Sequence, residues 1–274
     1  LASLLQDIPA ARLFEETLKL FLAGDGLATY KLMREYGLFQ PLFPQVAALF
    51  TPHGTSPFEQ FIELALLDTD TRVRADKRVT PAFLYATLLW GCVEARARVL
   101  ENESGLPWHD AFMLAINEVL DNQVRIIAVP RRFTTDVRDI WALQQRLTRR
   151  QGRHPERAME HPKFRAAFDF LLLRNRVERG LGELASWWER YVASNPDVRP
   201  QLQREATRRP ASGERGEERF IAGGIRSPEI IDRLGWFATL GVTMSSVPIP
   251  AVRSISEYEE YARWVIEEIK PKLA

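Results

Sequence analysis

The stretch TPAFLYATLLWGCVEARARVLENE, residues 80–103, decides the fold class. Thr80 is a good N-cap, and Pro81 suits the first helical position, where its missing N–H costs nothing. The residues that follow are apolar for long enough to need burial on several sides. Gly105 and Pro107 then end the run. The same start signal stands at Ser56-Pro57, ahead of Phe58, Phe61, Ile62, Leu64 and Leu66. Over residues 10–23, Leu13, Phe14, Leu18, Leu20 and Phe21 recur at helical spacing, with Gly24 as the stop. A second helix over residues 27–36 closes on Gly37. Beyond residue 103 the pattern predicts a helix over 108–122. Another, capped by Thr134-Thr135-Asp136, runs through Trp141 and Leu147. A third leads from His161-Pro162 through Leu172, and a last one carries Trp187, Trp188 and Tyr191. No strand pattern precedes residue 200. The expected fold is therefore all-α, a multi-helix body.

Residues 196–216 read as a linker, because Pro196, Pro200, Pro210, Gly213 and Gly216 are set among charges. Residues 217–274 read as helix, short strand and helix, a small α/β fragment whose single strand has no partner. The chain has 274 residues, enough for a sizeable core. No apolar run reaches the roughly 18 residues that suggest a membrane span, and no secretory signal opens the sequence. The first residue is Leu1, and the chain is expected to be a piece of something longer.

A formal net charge of +1 conceals a strong asymmetry. Residues 1–124 carry −6, residues 125–209 carry +9 and residues 210–274 carry −2. The middle segment has 19 cations, of which 18 are arginine and one is Lys163, so its chemistry is that of a guanidinium surface. Arginine contacts phosphate bidentately and stacks on bases, so a polyanion, above all nucleic acid, is the partner this pattern favours. The organisation is accordingly divided at 1–124, 125–195, 196–216 and 217–274.

Other chemistry finds little support. Cys92 is the one cysteine, which excludes an internal disulfide and a cysteine-built zinc site; in its apolar helix it reads as an inert buried thiol. His53, His109, His154 and His161 show no ligand spacing. Asp68-Thr69-Asp70 has the spelling of a metal-binding pair but follows a helix, where turn and cap chemistry is expected. Gly24-Asp25-Gly26 lacks a preceding strand and reads as a helix–helix turn. Trp187 and Trp188 either stack on bases or belong to the core.

Many short stretches in order resemble bacterial poly(A) polymerase, a class II nucleotidyltransferase. They include Leu4-Leu5-Gln6-Asp7-Ile8-Pro9-Ala10-Ala11-Arg12, Gly37-Leu38-Phe39-Gln40-Pro41-Leu42-Phe43-Pro44 and Thr69-Asp70-Thr71-Arg72. Arg78-Val79-Thr80-Pro81, Trp108-His109-Asp110-Ala111-Phe112, Pro130-Arg131-Arg132-Phe133 and Arg138-Asp139-Ile140-Trp141 continue the series. Arg149-Arg150-Gln151-Gly152, His161-Pro162-Lys163-Phe164-Arg165 and Trp187-Trp188 close it. The resemblance covers residues 1–200 and implies a neck exit and body over 1–124, then an arginine-rich RNA-binding region over 125–195.

Together with the charge pattern, it points to Arg131, Arg132, Arg138, Arg146, Arg149, Arg150, Arg153, Lys163 and Arg165 as contacts for single-stranded RNA. Arg174 and Arg176 sit near Glu178 and are expected to be partly neutralised. Arg12, with Glu15 and Glu16 one turn on, would brace the neck. The family's catalytic head carries a Gly-Ser turn and a pair of metal-binding aspartates, and this sequence shows neither. The chain is therefore expected to add no AMP to RNA by itself and to hold no cofactor, although the full-length family uses ATP and Mg. A cytoplasmic location without a membrane partner is implied. A stand-alone RNA-binding module and a tRNA CCA-adding relative are the alternatives. The tail over 217–274 resembles the C-terminal end of a luciferase-like flavin or deazaflavin oxidoreductase, through Phe220-Ile221-Ala222-Gly223-Gly224 and Leu240-Gly241-Val242-Thr243.

Overall fold

Thr80 does what its position predicts. In the computed structural model its side-chain oxygen accepts the Phe83 N–H, Pro81 opens the helix, and Gly105 ends it in the left-handed region at φ 63°. The helix runs Pro81–Ser104, and several of the other described helices pack against it. The structure describes residue 5, residues 7–51 and residues 56–207. In chain order the helices are α1 Ala10–Phe21, α2 Gly26–Glu35, α3 Phe39–Leu42, α4 Pro44–Ala47, α5 Pro57–Arg74 and α6 Pro81–Ser104. There follow α7 Trp108–Ile126, α8 Arg131–Leu147, α9 His154–Met159, α10 Phe164–Asn175, α11 Gly182–Ala193 and α12 Arg199–Thr207. No strand occurs among the described residues, so the body is all-α.

Helix α6 is buried nearly all round because α4, α5, α7 and α8 pack against it. Leu84, Leu88, Leu89, Val93 and Ala97 all lie in the core, and so does Cys92, whose thiol burial pushes up to about 12. Gly91 permits the approach of α5. A Cβ there would stand 2.6 Å from the Phe58 ring.

Two apolar clusters result. The larger joins α1 to α7 with Val137, Ile140 and Trp141 of α8 and Phe170 and Leu173 of α10. The smaller gathers Leu143 and Leu147 with Ala158, Phe164, Phe168, Leu171, Trp187, Trp188, Tyr191 and Leu202. Helices α8 and α10 thus contribute to both, and the division expected at 124/125 falls inside α7.

Three boundaries differ from the sequence reading. Helix α8 begins at Arg131, directly after Pro130, and Thr134 bonds back to the Arg131 carbonyl inside it instead of capping it. Helix α10 begins at Phe164, and His161 serves its approach by accepting the Lys163 N–H at 3.1 Å. Residues 199–207, expected as linker, form α12, because Leu202 has a buried place in the smaller cluster. The tail over 217–274 and its oxidoreductase resemblance lie outside the described residues.

One polar knot ties the helices together. Arg174 of α10 donates to both carboxylate oxygens of Glu178, at 2.8 and 2.6 Å, and its guanidinium stacks 4.4 Å from the Trp90 ring of α6. Trp90 also donates to Glu178, at 3.2 Å. Glu94 shares the same cation less closely, at 3.8 Å. Burial, helped by the neighbouring Glu178 charge and opposed by Arg174 and Arg98, raises its carboxyl to about 7.

A carboxyl raised above its unfolded value binds a proton on folding. Its stabilising contribution is complete below the unfolded value near 4.5 and is lost as pH rises through about 7. Glu94→Gln should therefore match the parent at pH 5 and exceed it at pH 8 by about 1–3 kcal/mol in urea unfolding. A variant that is less stable than the parent at pH 8 would contradict this account of Glu94.

Candidate nucleic-acid interface

Helix α8 sets out most of the predicted cations. At 3.6 residues per turn, Arg131, Arg138 and Arg146 lie within about 80° of one another on one side of it. Arg131 and Arg132 occupy its exposed first turn, and the Arg132 guanidinium sits 4.7 Å from the Phe133 ring. Arg138 is half-buried and donates to Asn117 of α7 at 3.2 Å. Arg146 stands exposed at the other end, about 22 Å along the axis from Arg131. The turn beyond α8 adds Arg149 and Arg153, both exposed, with Gly152 between them at φ 57°. Its chain path is set by the smaller cluster, where Trp188 donates to the Leu147 carbonyl at 2.8 Å.

The nine predicted contacts divide by their partners. Arg131, Arg132, Arg146, Arg149 and Arg153 make no ion pair among the described residues. Arg150 is different: it pairs with Glu183 at 2.6 Å, and its side chain is 22% exposed. Lys163 pairs with Asp136 at 2.7 Å and Arg165 with Asp169 at 3.0 Å. These last two face elsewhere. They line an open cleft together with Asp136 and Ile140, which lie roughly half a turn round α8 from Arg131 and Arg138. The fold therefore does not make one patch of the nine. It makes an arginine line along α8 and the following turn, and it turns Lys163 and Arg165 into a separate cleft.

Other expectations resolve in the same geometry. Arg12 and Glu15 are exposed and form no ion pair with each other; Glu16 pairs instead with Lys19 at 3.0 Å. The reason is directional, since a glutamate N-terminal to its cation suits the helix dipole and the reverse order does not. Arg176 pairs with Asp68 of α5, leaving Glu178 to Arg174. Trp187 and Trp188 are 2% and 0% exposed and are therefore core residues, closed to a base.

Asp70 is also buried, and its two oxygens accept the Gly26 and Leu27 N–H groups at 2.7 and 3.0 Å, capping α2 across the chain. Asp68 and Asp70 are thus both engaged, which does not fit a divalent ion. No group of three or more His, Cys, Asp or Glu among the described residues is placed to hold a metal.

Comparison with known proteins places this geometry. Residues 1–50 match the family described as "Probable RNA and SrmB- binding site of polymerase A", and residues 104–220 match "Polymerase A arginine-rich C-terminus". Over these residues the chain is homologous to the C-terminal part of poly(A) polymerase.

Poly(A) polymerase I of Escherichia coli O6:H1 is 52% identical over 221 residues, covering 77% of this chain and 48% of that protein. The Salmonella typhi and Haemophilus influenzae proteins of the same name are each 51% identical, over 213 and 209 residues. They cover 77% and 76% of this chain, and 46% of each relative. The chain spans about half the length of the curated relatives it matches. The arginine line falls within the region of poly(A) polymerase homology, and so does the cleft. No described helix is long and apolar enough to cross a membrane.

Proposed function

We propose that this chain is the RNA-holding part of a poly(A) polymerase, the enzyme that in its whole form adds AMP from ATP to RNA 3′ ends. The observation that carries the reading is the arginine line. Five exposed guanidinium groups stand without a carboxylate along α8 and its following turn, inside the arginine-rich family match. Among the described residues no carboxylate competes for these groups, and a phosphate backbone offers each a bidentate partner. The line is some 20 Å long, the reach of several nucleotides of extended strand. Single-stranded RNA held by its phosphates, with little preference for sequence, fits it best. The division of the chain at 125 is on this reading a division of labour, and a cytoplasmic site of action goes with an RNA partner.

Each phosphate contact on a single strand contributes about −0.7 to the slope of log affinity against log salt. Replacing Arg146, Arg149, Arg150 and Arg153 together by Gln should flatten that slope by roughly 1–2, with Arg150 contributing least because Glu183 already holds it. Helix content should not change. Equal binding of oligoadenylate by the parent and the quadruple variant at about 50 mM salt would overturn the reading.

A further inference from the structure

The cleft that takes Lys163 and Arg165 is more than a place where two predicted contacts went astray. It is an open cavity of about 620 Å³ between the end of α5, the start of α6, α8 and α10. That volume is in the range of sites for a nucleotide-sized ligand. Its floor is apolar, with Val79, Phe83 and Leu172 among its lining, and its rim carries Arg72, Arg78, Lys163, Arg165 and Arg176. Three carboxylates share the rim, each already engaged: Asp136 by Lys163, Asp169 by Arg165 and Asp68 by Arg176.

Two cations are left over. Arg72 donates to the Arg78 carbonyl at 3.3 Å, which holds it beside the segment leading into α6. Arg78 is exposed and has no ion pair among the described residues. Thr80, the N-cap of α6, lines the same wall, so the positive end of a 24-residue helix adds to the excess.

An apolar floor beneath unmatched arginines suits a ligand with a flat apolar part and a phosphate. We propose that this cleft is a second RNA subsite, which takes a nucleotide of the bound strand with its phosphate on Arg72 and Arg78 and its base over the Phe83 wall. The proposal rests on the RNA reading above and adds residues that lie outside the arginine-rich segment. Phe83 is half-buried and held edge-to-face against Phe170, at 6.0 Å between ring centres, so it is fixed in place before a base arrives.

The test uses the whole chain and a fluorescein-labelled oligoadenylate. Arg72→Gln with Arg78→Gln should weaken binding by about 5–20-fold at 50 mM salt and flatten the salt slope by about 1, allowing for one contact imperfectly made. The control is Arg74→Gln with Lys77→Gln, which removes the same charge from neighbouring exposed positions that do not line the cleft. It should change affinity less than about threefold. An oligonucleotide carrying 4-thiouridine should crosslink, in the parent, to the segment 78–84.

Equal weakening by both double variants would reduce the effect to general charge and overturn the subsite. So would unchanged binding by the Arg72/Arg78 variant while the α8 quadruple variant loses affinity; that outcome leaves the RNA reading standing. Free AMP or ATP binding that disappears in the Arg72/Arg78 variant, with oligoadenylate unaffected, would also overturn it. A parent that binds no RNA would remove both readings together.

Discussion

Trp188→Ala should destabilise the body by about 3–5 kcal/mol, the cost of emptying a large buried aromatic site. Trp188 is fully buried, and its ring packs against Phe164, Trp187 and Tyr191 at centroid distances of 5.4, 5.1 and 5.7 Å. Its indole N–H also satisfies the last carbonyl of α8, at Leu147. The smaller cluster has few members, so it has little with which to refill the cavity. Thermal unfolding followed by near-ultraviolet circular dichroism should report the loss. Trp188→Phe should cost less, leaving mainly the Leu147 carbonyl unpaired. The two variants also separate packing from recognition. If Trp188 stood exposed and stacked on RNA, the Ala variant would lose affinity and keep its stability; the buried ring predicts that affinity follows stability in both variants.

Arg174→Ala should cost about 2–4 kcal/mol. The side chain is 13% exposed, and its removal strands two carboxylates, Glu94 and Glu178, that are themselves 23% and 26% exposed. Breaking one member of a fully buried pair costs about 3–5 kcal/mol, and partial exposure lowers that figure. The loss should be smaller near pH 5, where Glu94 is protonated, and should grow as pH rises through about 7, where Glu94 of the parent ionises beside Arg174. Combining Arg174→Ala with Glu178→Gln should recover part of it. Denaturant midpoints for the two variants at both pH values measure the effect. A loss that does not vary with pH would assign Arg174 to packing on Trp90 instead of to charge.

Much of the body is legible in the amino-acid sequence. Thr80-Pro81 opened α6 as expected, and Gly105 closed it, because caps are local chemistry that neighbours seldom overrule. The linker reading of 196–216 yielded at α12, since prolines and charges describe the exposed side of that segment and Leu202 describes the other. Asp70 shows the same limit. Its type announced a cap, but the helix it caps is α2, 43 and 44 residues back along the chain at Leu27 and Gly26.

The candidate site was legible as a charge excess and not as a surface. By itself the sequence determined the helical class, the long central helix, the arginine-rich segment and the homology those residues carry, all of which depend on residue type and spacing along the chain. Only the tertiary structure decided which arginines are free. Arg150 meets Glu183 and Arg176 meets Asp68 across 33 and 108 residues, and no local pattern encodes such pairings. Nor could spacing show that Lys163 and Arg165 face the same cleft as Arg72 and Arg78. Helix packing sets that arrangement, because the apolar faces of α5, α6, α8 and α10 must close on one core, and their charged edges meet wherever that closure leaves them.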